Sequence, residues 1–240
     1  MKARATTILA AVVVLLGVLS AAHSSAKPYS KTIVDVSWPN CKTAPAELYG
    51  AGIIGVNGGL DFRPNPCLAT ETSWFVNYAL YINTGYPGSN SARKFPSLPK
   101  RCGHSDKQCL AYNYGFNATQ YAIRYADLQD AHATQWWLDV ETDNSWTDNF
   151  LVNRASLRGA AAAVRQNVLF STVGIYSSPE QWKIITGSWQ NGLPAWLATG
   201  SSNKSVAAKA CRGRAFTGGA TWLSQYTQGL DKNLPCLGLL

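Results

Sequence analysis

Asp139 and Glu141, one valine apart at the end of Gln135-Trp136-Trp137-Leu138, are the residues of this chain best arranged for chemistry. On a strand, residues i and i+2 project to one face, so the two carboxylates share a side. Carboxylates held this close repel, and one of them acquires a raised pKa. One acid protonated beside one ionised near neutral pH is the arrangement that cleaves glycosidic bonds. A bare Asp-x-Glu is more often a pair of solvated surface acids, so the decision rests on what the other strands bring beside it.

Eight stretches read as those strands. Residues 32–37 form a β-rich run, and residues 53–57 a second one, stopped by Gly58-Gly59. Residues 78–83, 135–141, 172–176, 195–198 and 221–226 follow, and residues around Leu230-Asp231 form a short eighth. Helical patterns fall between them at 71–77, 117–132 and 153–170, and from Ser178-Pro179 to Thr186-Gly187. Residues 86–110 are polar and read as a long loop, and residues 206–211 have room for a turn or two. This alternation predicts an α/β chain with a parallel sheet, and about eight strands predict closure into a (β/α) TIM-like barrel.

In such a barrel the strand ends meet on one rim, where active sites sit. The expected rim carries Asp35, Asn57, Tyr81, Asn83, Asp139, Glu141, Tyr176, Trp196, Gln225, Tyr226 and Asp231. Carboxylates suit proton transfer and aromatic faces suit sugar rings, so this lining fits a glycan.

Composition narrows the setting. Lys2 and Arg4 precede an apolar run from Ile8 to Val18, and Ser24-Ser25-Ala26 offers a cleavage site, so residues 1–26 read as a secretory signal peptide and residues 27–240 as one domain. The apolar run is short for a membrane span, which predicts an exported protein without stable membrane insertion. The formal net charge of +8 falls to +6 without Lys2 and Arg4, and the basic residues are scattered, which argues against a nucleic-acid partner. An even six cysteines in an exported chain read as disulfides. Their order favours Cys41–Cys67, Cys102–Cys109 and Cys211–Cys236 among fifteen possible pairings. With no CxxC and only His23, His104 and His132, neither a metal nor a cofactor is expected.

Four motifs, Asp35-Val36-Ser37, Leu138-Asp139-Val140-Glu141, Gly174-Ile175-Tyr176 and Gln225-Tyr226-Thr227, occur in the order found in glycoside hydrolase family 25, the Chalaropsis-type lysozymes. The chain resembles that family, and secreted bacterial proteins with a family 25-like or DUF1906-like domain. The resemblance implies an irregular barrel of five strand–helix units followed by three strands. It implies a monomer that cleaves the β-1,4 bonds of peptidoglycan. Glu141 would be the general acid, and Asp139 would orient the substrate's N-acetyl group for attack on the anomeric carbon. Asp35 and Asp231 would support them, and Tyr81, Asn83 and Tyr176 would line the sugar subsites. Trp38-Pro39-Asn40-Cys41 and Asn57-Gly58-Gly59 depart from the usual lysozyme continuations. Those departures motivate an alternative, a non-catalytic glycan-binding or wall-associated module on the same barrel.

Overall fold

The computed structural model describes residues 30–44, 49–95 and 97–236; the expected signal peptide lies outside the described residues. Strands β1 (Ser30–Val36), β2 (Tyr49–Gly55), β3 (Phe75–Asn83), β4 (Gln135–Asp139), β5 (Thr172–Ser177), β6 (Ala195–Ala198), β7 (Thr221–Gln228) and β8 (Leu230–Pro235) close into a barrel in sequence order. Helices α1 (Leu68–Thr72), α2 (Ser89–Ala92), α3 (Lys107–Leu128), α4 (Phe150–Asn167), α5 (Pro179–Thr186) and α6 (Lys204–Ala210) lie in the connections between β2 and β7, and among the described residues the β1–β2 link carries the 3-10 turn Trp38–Asn40. The fold is an irregular TIM-like α/β barrel.

Strand parity decides what faces the barrel axis. Ile33, Ile53, Ala79, Trp137, Trp196 and Leu223 pack together as one buried cluster. Their neighbours Val34, Ile54, Leu80, Trp136 and Leu138 pack in a second, larger cluster with Ile123, Leu157 and Trp182 from α3, α4 and α5. The bulk of Trp137 needs a gap opposite it, and Gly174 supplies one, because a Cβ there would lie 2.3 Å from the Trp137 ring. Two residues further along the inner face, Ile33 leads to Asp35, Ala79 to Tyr81, Trp137 to Asp139 and Leu223 to Gln225. The inner face therefore changes from apolar to polar as the strands reach the rim.

The expectation that every strand presents its C-terminal end there fails at β8. This strand runs antiparallel to both β7 and β1. Only Gly229, at φ 81°, separates β7 from β8, and so short a link can only fold back as a hairpin. The reversal brings the start of β8 to the rim and sets Asp231 opposite Asp35 and Thr227.

Several helical boundaries also differ from expectation: α4 spans Phe150–Asn167 rather than 153–170, α3 stops at Leu128, and α2 lies inside the expected loop. Residues 75–77 belong to β3 rather than to a helix, since Phe75 and Val76 are strand formers and α1 ends at Thr72. Helix α3 begins at Lys107, inside the expected loop, because the Asp106 carboxylate accepts a hydrogen bond from the Cys109 amide and caps it. The segment between β6 and β7 holds a regular short helix, α6, capped by Asn203. Helix α5 opens as expected, with the Ser178 hydroxyl accepting from the Gln181 amide and Pro179 at the first helical position.

The cysteines pair as Cys41–Cys67, Cys102–Cys109 and Cys211–Cys236, with Cα separations of 5.5, 5.5 and 5.1 Å. The first pins the loop after β1, next to Asn40 on the rim. The last ties the end of α6 to the end of β8. Among the described residues no helix is long and apolar enough to cross a membrane.

Candidate active site

A cavity of about 350 Å³ opens where β1 to β7 end and β8 begins. Asp35, Tyr81, Asn83, Asp139, Glu141, Tyr176, Trp196, Gln225 and Asp231 all line it, together with Trp38 and Asn40. Two expected contributors do not. Asn57 is buried behind the rim, where its amide clamps the backbone of Asn83: Nδ2 donates to the Asn83 carbonyl at 2.8 Å and Oδ1 accepts from the Asn83 amide at 2.9 Å. Tyr226 follows Gln225 by one residue and so projects from the opposite face of β7, where it is buried.

Asp35 sits in a fixed hydrogen-bond network. Asn233 Nδ2 donates to its Oδ2 at 2.7 Å, and Gln225 Nε2 donates to both carboxylate oxygens, at 3.1 and 3.3 Å. Gln225 Oε1 accepts from the Tyr176 hydroxyl at 2.8 Å, and Asn233 Oδ1 accepts from the Trp196 indole at 2.7 Å. Burial, reinforced by the charge of Asp231, pushes Asp35 up to about 7 against the pull of the Asn233 and Gln225 bonds. The Tyr176 and Trp196 rings lie 4.3 Å apart, and Tyr81 meets Trp196 edge-on at 6.1 Å. These rings make an amphipathic floor suited to a sugar face.

Asp139 closes β4 and is held at both backbone and side chain. Its carbonyl accepts from the amide and hydroxyl of Thr84, and Asn83 Nδ2 donates to its Oδ2. Oδ1 is buried and has no partner. Burial, then the charges of Glu141 and Asp35, hold its pKa well above the carboxylate range, opposed by the Asn83 bond. Glu141 lies two residues on, just beyond the strand. It is half-buried, and its carbonyl accepts from the Trp146 indole at 2.9 Å. Burial also raises the Glu141 pKa, helped by Asp143 and Asp231 and opposed by a long 3.4 Å bond from Gln181 Nε2. A carboxyl with a raised pKa that still reaches the cavity can hand over a proton, and its acidic neighbours keep that proton available.

Trp38, Asn40, Asn233 and Gln181 are contributors that the expected rim did not include. Asn233 stands in the polar stretch Leu230-Asp231-Lys232-Asn233, which carries almost no strand signal, and only its spacing of two from Asp231 places it on the inner face. Gln181 sits on the first turn of α5, where the sequence shows a helix start and nothing more. Among the described residues no group of three or more His, Cys, Asp or Glu is placed to hold a metal ion.

A barrel whose polar end gathers four carboxylates over an aromatic floor has the framework of a sugar-cleaving enzyme. A family model described as Lysozyme-like protein 1 matches residues 107–224, just under half of the 240-residue chain. That span includes Asp139, Glu141, Tyr176 and Trp196. A curated protein of Dictyostelium discoideum, "Probable GH family 25 lysozyme 5", is 35% identical over 65 residues, covering 26% of this chain and 30% of that protein. The chain thus matches less than a third of that relative's length. No solved structure matches. Over part of its length the chain is thus similar in sequence to a lysozyme-like family and to a family 25 lysozyme.

Proposed function

We propose that this protein is a secreted glycoside hydrolase that cleaves β-1,4 bonds in peptidoglycan, with Glu141 as the general acid. The observation that carries the reading is the convergence of Asp35, Asp139 and Glu141 on one cavity, each with a raised pKa and, among the described residues, none with a cationic partner. Glu141 protonates the leaving oxygen. Asp139, fixed by Asn83 and with one oxygen unpaired, accepts from the N–H of the substrate's acetamido group and turns that group's carbonyl oxygen toward the anomeric carbon. Such substrate assistance is a recognised departure from the two-carboxylate scheme. Asp35, Gln225 and Tyr176 keep the floor of the site in register. The disulfides and the N-terminal sequence support export to an oxidising compartment.

Mass spectrometry of the soluble products from peptidoglycan tests this reading. The wild-type protein is expected to release fragments ending in reducing muramic acid, and Glu141→Gln to release none. Glycan binding without fragments from either protein would replace the reading with that of a binding module.

A further inference from the structure

Beside the catalytic cavity lies a second, smaller one of about 190 Å³, and Asn83 lines both. Its wall includes Asp61, on the loop after β2, and Tyr114 from α3. The Tyr114 hydroxyl donates to Asp61 Oδ2 at 3.0 Å, the one hydrogen bond this carboxylate takes among the described residues. No cation pairs with it: the ion pairs of the described residues join His132 to Asp127 and Asp130. Burial pushes Asp61 up to about 7, with the Tyr114 bond opposing. A partly buried carboxylate without a counter-charge is costly, and its ionised form is short of donors.

The loop is built to hold it there. Phe62, the next residue, adopts φ 58°, a conformation that costs a bulky side chain strain. In return its ring stacks on Phe95 at 5.5 Å and meets Tyr114 edge-on at 5.7 Å. Beside the carboxylate Gly85 leaves space, since a Cβ there would lie 3.1 Å from the Ser145 carbonyl and 3.2 Å from Asp61 Oδ2.

We propose that this cavity is an additional glycan subsite, in which Asp61 accepts a hydrogen bond from an N–H or O–H of the sugar adjoining the one held at Asp139. The inference rests on the glycan reading of the main cavity. Asn83 couples the two places, because the same side chain that donates to Asp139 forms part of the wall of the second cavity. Asp61 is a specificity-determining residue in this scheme, remote from the bond that breaks.

Calorimetric binding of N-acetylglucosamine oligomers tests it, in a Glu141→Gln background that prevents turnover. Adding Asp61→Asn is expected to weaken binding of the pentamer by about tenfold, as befits one hydrogen bond to a charged group, and to leave dimer binding within about twofold. Gly85→Ala, whose Cβ would press on Asp61 Oδ2 and the Ser145 carbonyl, is expected to give the same length-dependent loss. Peptidoglycan tetrasaccharides with and without stem peptides locate the donor: a loss confined to the peptide-bearing form overturns the sugar assignment. Equal losses for dimer and pentamer, or none, overturn the subsite while leaving the glycan reading intact. Absence of binding to any of these glycans with Asp61 intact overturns both.

Discussion

At one end of the barrel a cavity of about 350 Å³ is lined by four carboxylates, and at the other a cavity of about 1230 Å³ is lined by none among the described residues. The larger one lies where the parallel strands begin. Its walls include Ile33, Ala51, Val76, Val168, Leu169 and Pro235, with Tyr78 and His132 as its titratable groups. Volume alone would choose that end. Chemistry chooses the other, because only there do acids, amides and aromatic rings converge with partners that fix them. Both cavities belong to one fold, so the strands supply the frame and the inner-face residues near their ends supply the function.

Substitutions that abolish the contrast should have graded effects. Glu141→Gln removes the proposed proton donor and keeps its shape, and should cost about 10²-fold or more in turnover of peptidoglycan. Asp139→Asn should produce a comparable loss in kcat, measured on the same substrate, because an amide oxygen is a weaker, uncharged acceptor than a carboxylate. Asn233→Ala takes away the shortest bond to Asp35 and the partner of the Trp196 indole. A drop of about tenfold in kcat is expected, with the barrel still folded by circular dichroism.

The polar end should also be the less stable one at high pH. Asp35 and Asp61 rise from 3.8 to about 7 on folding. Between roughly pH 4 and pH 7 the folded protein therefore holds protons that the unfolded chain has released, and stability falls as pH rises through that window. Asp35→Asn and Asp61→Asn should each raise the melting temperature at pH 8 and change it far less at pH 4. Equal shifts at both pH values would show that burial of the charge is not the cause. The smallest effect belongs to the apolar end. Val76 and Leu169 are 57% and 82% exposed, and serine at either should leave turnover within about twofold and stability within about 0.5 kcal/mol.

How much of this was legible in the sequence follows from where each residue's information lies. Asp139, Glu141, Asp35 and Tyr81 each stand at or near the end of an apolar strand, in step with its inner-face residues, so alternation alone groups them on one side. Asp231 was found for a different reason than the structure gives: it reaches the rim because β8 runs backwards, and strand direction follows from the one-residue turn at Gly229 rather than from any hydrophobic pattern. Asn233 was invisible because its strand is polar and its inward orientation depends on the same reversal. Asn57 and Tyr226 show the opposite limit. Both have sugar-binding side chains at the right point of a strand end, but one is turned onto the backbone of Asn83 and the other faces the outer layer. Asp61 lies on a loop, where no periodicity reports orientation; its position depends on the packing of Phe62 against Phe95 and Tyr114.

The role of Glu141 as proton donor is tested most directly by comparing two leaving groups. The rate of Glu141→Gln relative to wild type is measured on peptidoglycan and on a dinitrophenyl β-glycoside of N-acetylchitobiose, whose phenolate departs without protonation. A loss of about 10²-fold or more on peptidoglycan with a nearly unchanged rate on the activated glycoside is the expected result. Equal losses on both substrates, or none on either, would contradict Glu141 as the general acid.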